Sequence, residues 1–238
     1  MENKRVLLKL SGEALAGDNG FGIDTDMLKE VAGEIKAGYQ KVKQIAIVVG
    51  GGNMWRGSIA EAAGLDRANG DYIGMLGTVM NALALKDALV QIGVPCRVQT
   101  AVSMPTITEA YARERALKYL NDDIVVIFAA GTGNPYFSTD TAASLRAAEI
   151  NASVILAAKN NVDGVYDTDP NSDSRAKRFE SLTYGEMLQK KLGVMDLTSA
   201  TLSEENKIPT FVFSMTERGN IEKAIIGDIK GTMIVPNK

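Results

Sequence analysis

The chain is expected to fold as an α/β protein with a mainly parallel sheet covered by helices, and three observations predict this. Short β-branched or aliphatic runs alternate with longer segments of helical period, which is the pattern of successive βαβ units. Most of those runs are apolar on both faces, as in strands buried between two helix layers. The 238 residues are 45% hydrophobic, enough for a sizeable core within one α/β unit.

The elements follow in order. Arg5–Leu10 reads as the first strand and Gln44–Val49 as the second. Between them lies TDMLKEVAGEIKAG, where Met27, Val31 and Ile35 recur at helical spacing and Gly38 is expected to cap the C-terminus. The stretch from Asp71 to Gly93 is helical in composition and apolar around much of its circumference, so it belongs either in the core or in a subunit interface. Asn81, Lys86 and Asp87 interrupt it and argue against a bilayer span. Cys96–Thr100 and Ile124–Phe128 read as strands joined by a helix over ITEAYARERALKYL. Val154–Ala158 is the next strand, and the polar run TDPNSDSRAKR after it reads as a solvated loop and a candidate lobe boundary. TYGEMLQKKLG, the stretch from Asp196 to Asn206, and GNIEKAIIG read as helices, with strands at Thr210–Phe213 and Thr232–Val235.

Composition excludes several functions. Charges nearly balance at 26 basic and 29 acidic, net −3, so nothing points to a nucleic acid or a membrane surface as partner. The apolar run in MENKRVLLKLSG is too short for a signal peptide or a span. Cys96 is the only cysteine, which fits a reducing cytoplasm, and its place in PCRVQT suits a buried strand residue better than a nucleophile. With no histidine in the chain, Ser-His-Asp and Cys-His catalysis and His-ligated zinc are ruled out.

In an open parallel sheet, ligands bind beyond the carboxyl ends of the strands. That edge is rich in glycine here: KLSGEALAGDNGFG follows the first strand, GGGNMWRG the second, and AAGTGNPYFSTD the fourth. Three consecutive glycines are entropically costly unless something must approach their backbone, and exposed amides near helix N-termini favour an anion. GNMWRGS has the glycine spacing of a phosphate-binding loop but Ser58 where the lysine belongs, and GTGNPY lacks the third glycine of a dinucleotide fingerprint.

Lys9 sits near the end of a strand whose neighbours Leu7, Leu8 and Leu10 are apolar, where an ammonium is costly unless it reaches water or an anion. Arg56, just after the triple glycine, is a second cation for the same anion or a surface residue. Trp55 suits packing or an interface. Asp71 is either a helix-start charge or an acceptor for sugar hydroxyls, and Ser138 or Thr139 caps a helix with Asp140 in its first turn. Asp140 is there a simple capping charge, or it orients Lys9 or assists a hydrated Mg²⁺. Together these residues suit phosphoryl transfer, and a phosphate acceptor, already ionised near neutral pH, needs no general base.

With KLSGEAL, VVGGGNMWRG, GMLGTVMNALAL, AAGTGNPYFSTDTAA, NNVDGVYDTDP and VMDLTSATL in register, the chain resembles the bacterial uridylate (UMP) kinases of the amino acid kinase family. The resemblance implies a three-layer αβα sandwich formed by residues 1–238 as one domain, with acceptor binding in about 1–150 and ATP binding in about 151–238. It implies transfer from ATP to UMP with Mg²⁺. Lys9, Arg56 and Asp140 would be catalytic; Lys9, Leu10, Ser11, Gly12, Gly52, Arg56, Asn160, Asn161, Tyr166 and Asp169 would bind ATP. Gly51, Asp71, Thr132, Gly133, Asn134, Pro135, Tyr136, Phe137, Ser138 and Thr139 would bind UMP. The metal ligands stay open. The resemblance further implies a homohexamer in the cytoplasm, with the Asp71–Gly93 helix at an interface, and GTP and UTP as effectors near Lys86, Asp87 and Arg97. Ile124 departs from the family here, standing where several relatives carry a basic residue. A carboxylate or carbamate kinase of the same fold, or a nucleotide sensor without catalysis, remain the alternatives.

Overall fold

The computed structural model describes residues 5–17, 20–55, 64–160, 162–170, 172–173 and 175–237. Arg56 and Asn161, both expected at the site, lie outside the described residues. The strands are β1 (Val6–Leu10), β2 (Ile45–Val49), β3 (Cys96–Thr100), β4 (Glu109–Ala110), β5 (Val125–Ala129), β6 (Val154–Lys159), β7 (Ser181–Thr183), β8 (Thr210–Ser214) and β9 (Thr232–Val235). They form one sheet in the order β4-β3-β5-β2-β1-β6-β8-β9-β7. Every neighbouring pair is parallel except β8 with β9. From β1 the chain forms β2, places β3 and β4 at the edge of the sheet, returns to insert β5 between β3 and β2, then crosses to β6 on the other side of β1, so the carboxyl ends of β5, β2, β1 and β6 lie side by side. That is the topological switch point where such sheets bind ligands.

The helices are α1 (Thr25–Tyr39), α2 (Arg67–Gln91), α3 (Arg113–Asn121), α4 (Thr139–Glu149), α5 (Tyr184–Gln189), α6 (Leu197–Glu205) and α7 (Asn220–Ile226). Alternation along each strand sorts them into two layers. Val6, Leu8, Leu10, Ile47 and Val49 pack with Val31 and Ile35 of α1, Val79 and Leu85 of α2, and Ile225 of α7. Leu7, Ala46, Val48 and Ile155 face the other way, against Ala116 and Leu120 of α3 and the alanines of α4. Ala157 and Val212 continue that second face beneath α5 and α6. Helix α2 has the length and apolarity of a membrane span, yet half of that stretch is buried inside the fold.

Several boundaries differ from the sequence reading, each for a local reason. Gly38 does not cap α1; the helix runs on to Tyr39, and glycine is needed within it because a Cβ there would stand 2.8 Å from Ile225 Cδ1. Helix α2 begins a turn before Asp71, with Asp66 accepting from the Asn69 amide, so Asp71 is not its cap. The helix expected from Ile107 starts only at Arg113, because Glu109 and Ala110 pair with Gln99 and Thr100 as an added edge strand. Sheet pairing there overrides helix propensity. Strand β7 is three residues long, too short to show a period.

Candidate active site

The parallel register places three charges together. Lys9 on β1 lies opposite Ala157 on β6, so Lys159 sits two residues further along on the same face, a diagonal neighbour. Helix α4 descends onto that face. Ser138 caps it by accepting from the Thr141 amide at 3.0 Å, which sets Asp140 in the first turn, where a carboxylate complements the helix dipole. Lys9 Nζ stands 2.8 Å from Asp140 Oδ1 and Lys159 Nζ 3.9 Å from Oδ2. Lys159 also donates to the Val194 carbonyl at 2.7 Å. Burial pushes the Asp140 carboxyl up, but the two ammonium groups outweigh it and hold it below the ordinary carboxylate range. Burial lowers the pKa of Lys159, and Lys9 adds to that, against the pull of Asp140.

The cluster carries one more positive than negative charge and is fitted to receive an anion. Lys9 and Asp140 were legible in the sequence; Lys159 was not singled out. The same signal marked it, a lysine closing the apolar run VILAAK.

Above β2 and β5 opens a cleft of about 190 Å³ lined by Gly51, Gly52, Trp55, Asp71, Thr78, Thr132, Asn134, Phe137, Ser138 and Thr139, among others. It gathers most of the residues expected to hold the acceptor; Gly133, Pro135 and Tyr136 do not line it. Tyr136 acts through its backbone, with a left-handed φ of 71° and an amide that donates to Asp71 Oδ2 at 2.7 Å. Arg67 Nε is 3.7 Å from the same oxygen. The Ser138 hydroxyl donates to Asp196, which also accepts from Thr141 Oγ1 at 2.9 Å and from the Ser199 amide at 2.9 Å. Asp196 thus ties the start of α4 to the start of α6, a role the sequence did not reveal.

The triple glycine has a second cause besides a ligand. A Cβ on Gly51 would stand 2.5 Å from the Gly74 carbonyl oxygen in α2, while one on Gly52 would meet only Glu13, at 3.9 Å. Gly12, in the turn after β1, is needed for the same reason: its Cβ would stand 2.4 Å from Asn53 Oδ1 and 2.7 Å from the Gly50 oxygen. The loops after β1 and β2 and helix α2 are therefore pressed backbone to backbone, and only part of the glycine run faces open space. Ser11, preceding Gly12, makes no side-chain cap to the short 3₁₀ turn Gly12–Leu15. Trp55, expected in packing or an interface, is at the cleft wall.

A second cleft, of about 480 Å³, lies beyond β6 and is lined by Asn160, Val162, Asp163, Tyr166, Pro170, Ser214 and Thr216. The Tyr166 hydroxyl donates to Asp163 Oδ1 at 2.5 Å, and Asp169 turns the chain at its rim, its carbonyl accepting from the Ser172 and Asp173 amides. The two clefts adjoin the charge cluster: Thr139 precedes Asp140, and Asn160 follows Lys159. Elsewhere, Lys86 and Arg97 share a depression of about 300 Å³ with Glu109. Asp87 does not line it and instead accepts from Gln91 Nε2 at 2.7 Å. Cys96 is buried and its thiol is pushed up to about 12 by burial, which agrees with an unreactive strand residue.

Known proteins resemble this chain in sequence and fold. The model of the amino acid kinase family matches residues 4–214. The chain is 57% identical over 231 residues to a protein named uridylate kinase from Limosilactobacillus reuteri, covering 97% of this chain and 96% of that one. A uridylate kinase from Pediococcus pentosaceus is 55% identical, with the same coverage. The crystal structure of UMP kinase from Bacillus anthracis superposes with a TM-score of 0.94 at 37% identity, covering 99% of this chain and 97% of that chain.

Proposed function

Because the chain belongs to the amino acid kinase family, we propose that it transfers the γ-phosphoryl group of ATP to UMP, giving UDP and ADP. The observation that carries this reading is the Lys9–Asp140–Lys159 cluster at the junction of two clefts. The smaller cleft takes UMP: Gly51 and the 132–139 loop surround it, and Asp71 accepts from the ribose. Leu10, Ser11, Gly12 and Gly52 lie at the phosphates of ATP, whose base and ribose extend toward Asn160, Tyr166 and Asp169. This assigns acceptor binding to about 1–150 and ATP binding to about 151–238 within one domain.

An oxygen of the UMP phosphate, ionised near neutral pH, attacks the γ-phosphorus while the bond to the ADP oxygen breaks. No proton need be removed, so a chain without histidine suffices. Lys9 and Lys159 balance the charge that spreads over the transferring group, and Asp140 holds both ammonium groups in place. Mg²⁺ bound with ATP would neutralise phosphate charge, held mainly by the phosphates and water, with Asp140 the carboxylate at hand beside the transferring group.

Helix α2 exposes Tyr72, Ile73, Leu76 and Met80. This apolar stripe supports the assembly of copies into a homohexamer built from dimers, and the Lys86–Arg97 depression is the place for a GTP or UTP effector. The nearly balanced charge and single cysteine suit a cytoplasmic enzyme.

A coupled assay with ATP, Mg²⁺ and a panel of acceptors tests the reading. UMP should give ADP and UDP, while acetylglutamate, glutamate, aspartate and carbamate give little product. Preference for an acid would contradict it, as would nucleotide binding without turnover.

A further inference from the structure

Helix α2 carries one fully buried asparagine, Asn81, on a face otherwise made of Thr78, Ala82 and Leu85. Its amide pairs reciprocally with that of Asn53, also fully buried: Asn53 Nδ2 donates to Asn81 Oδ1 at 3.0 Å and Asn81 Nδ2 to Asn53 Oδ1 at 2.7 Å. The remaining donor capacity goes to two carbonyls, Asn53 Nδ2 to Gly22 at 2.6 Å and Asn81 Nδ2 to Gly50 at 2.7 Å. Two buried amides in an apolar region are costly unless fully satisfied. A leucine pair would have filled the same space without that requirement.

The bond to Gly50 has a directional consequence. The Gly50 carbonyl and the Gly51 N–H belong to one peptide unit, and no peptide bond among the described residues is cis. In a planar trans peptide the two groups point in opposite directions. Holding the carbonyl inward on Asn81 therefore turns the Gly51 N–H outward. Gly51 lines the smaller cleft, and its N–H has no hydrogen-bond partner among the described residues. Glycine would otherwise let this peptide rotate, since it accepts either sign of φ.

We propose that Asn81 is a positioning residue: it locks the Gly50–Gly51 peptide so that the Gly51 amide is aimed, before any ligand arrives, at an anionic oxygen of the phosphate on the acceptor. The inference rests on reading that cleft as the UMP site. A donor fixed in advance spends no free energy on reorientation when the anion binds, and a hydrogen bond to a charged group is worth about tenfold or more in affinity.

The test is calorimetric titration of UMP and of uridine, which lacks the phosphate, into the wild type, Asn81→Ala, and Asn81→Leu, whose side chain keeps the volume and helix propensity if the alanine variant folds poorly. Leu85→Ala, on the same buried face, controls for general loosening. The expected result is UMP dissociation constants raised about tenfold in the Asn81 variants, uridine affinity unchanged, and an unchanged ratio of the two in Leu85→Ala. An unchanged ratio in folded Asn81 variants, or an equal loss for both ligands, would overturn the proposal. A wild type that fails to bind UMP at all would instead overturn the function on which it rests.

Discussion

At the scale of single residues, the central feature is a carboxylate held between a buried ammonium group, Lys9, and a partly buried one, Lys159. Removing Asp140 leaves Lys9 and Lys159 without an opposite charge between them, and because the site is partly exposed the cost is a fraction of the about 3–5 kcal/mol of breaking a fully buried pair. Asp140→Asn should therefore lower the denaturation midpoint as well as the rate. The sign of its pH dependence follows from the shift: a carboxyl whose folded value lies below its unfolded one stabilises above the unfolded value and loses that contribution as pH falls through the folded one. The contribution is then intact at neutral pH and disappears only in acid, below about pH 4; acid unfolding of Asp140→Asn should lack it.

Lys9→Ala is expected to reduce kcat far more than UMP affinity, because its charge is needed most in the transition state; near-normal turnover would remove it from the mechanism. Lys159, lowered mainly by burial, should lose its proton at a pH below that of an ordinary lysine. The rate should then fall on the alkaline side, and Lys159→Arg should move that limb to higher pH. An alkaline limb indifferent to this change would exclude Lys159 as the titrating group.

At the scale of elements, α2 organises the acceptor cleft. It presses Gly74 against Gly51, binds the Gly50 carbonyl through Asn81, and supplies Thr78, whose Oγ1 accepts from the amide of Ala130, a residue held at a left-handed φ of 61°. Its outer face, with Leu76 and Met80 about half exposed, is the surface proposed for assembly. Leu76→Glu with Met80→Glu should therefore reduce the mass seen by light scattering while leaving helix content intact; an unchanged mass would place the interface elsewhere. Gly12→Ala tests the loop packing: its nearest neighbours include backbone that cannot move aside, so overpacking of about 1–3 kcal/mol is expected in denaturant unfolding.

The helix itself was legible in the sequence, as were most strands, because each announces itself by a local period. What escaped were relations between distant residues. Asn53 and Asn81 are 28 positions apart, and nothing in either local context reveals the pairing. Asp196 binds Ser138 across an interval of 58. Strands β4 and β7 exist only because an edge was available to pair with them. Lys9 stood out because a glycine loop follows it, whereas Lys159, at the end of an equally apolar strand, leads into a polar run that drew no such inference.

At the scale of the whole molecule, the crossing of the chain from β5 to β6 past β2 and the central β1 determines where chemistry can occur. Loops from both halves of the sheet open at one edge, so the two nucleotides proposed as ligands would meet above β1, where the three charges stand. In the proposed reaction the phosphoryl group passes directly between two nucleotides held side by side, with no phosphorylated intermediate on the protein. Stereochemistry at phosphorus tests this most directly. With ATP made chiral at the γ-phosphorus by sulfur and oxygen isotopes, a single in-line displacement onto UMP predicts inverted configuration in the UDP product. Retention would require two successive displacements through a group on the protein, and would contradict the account.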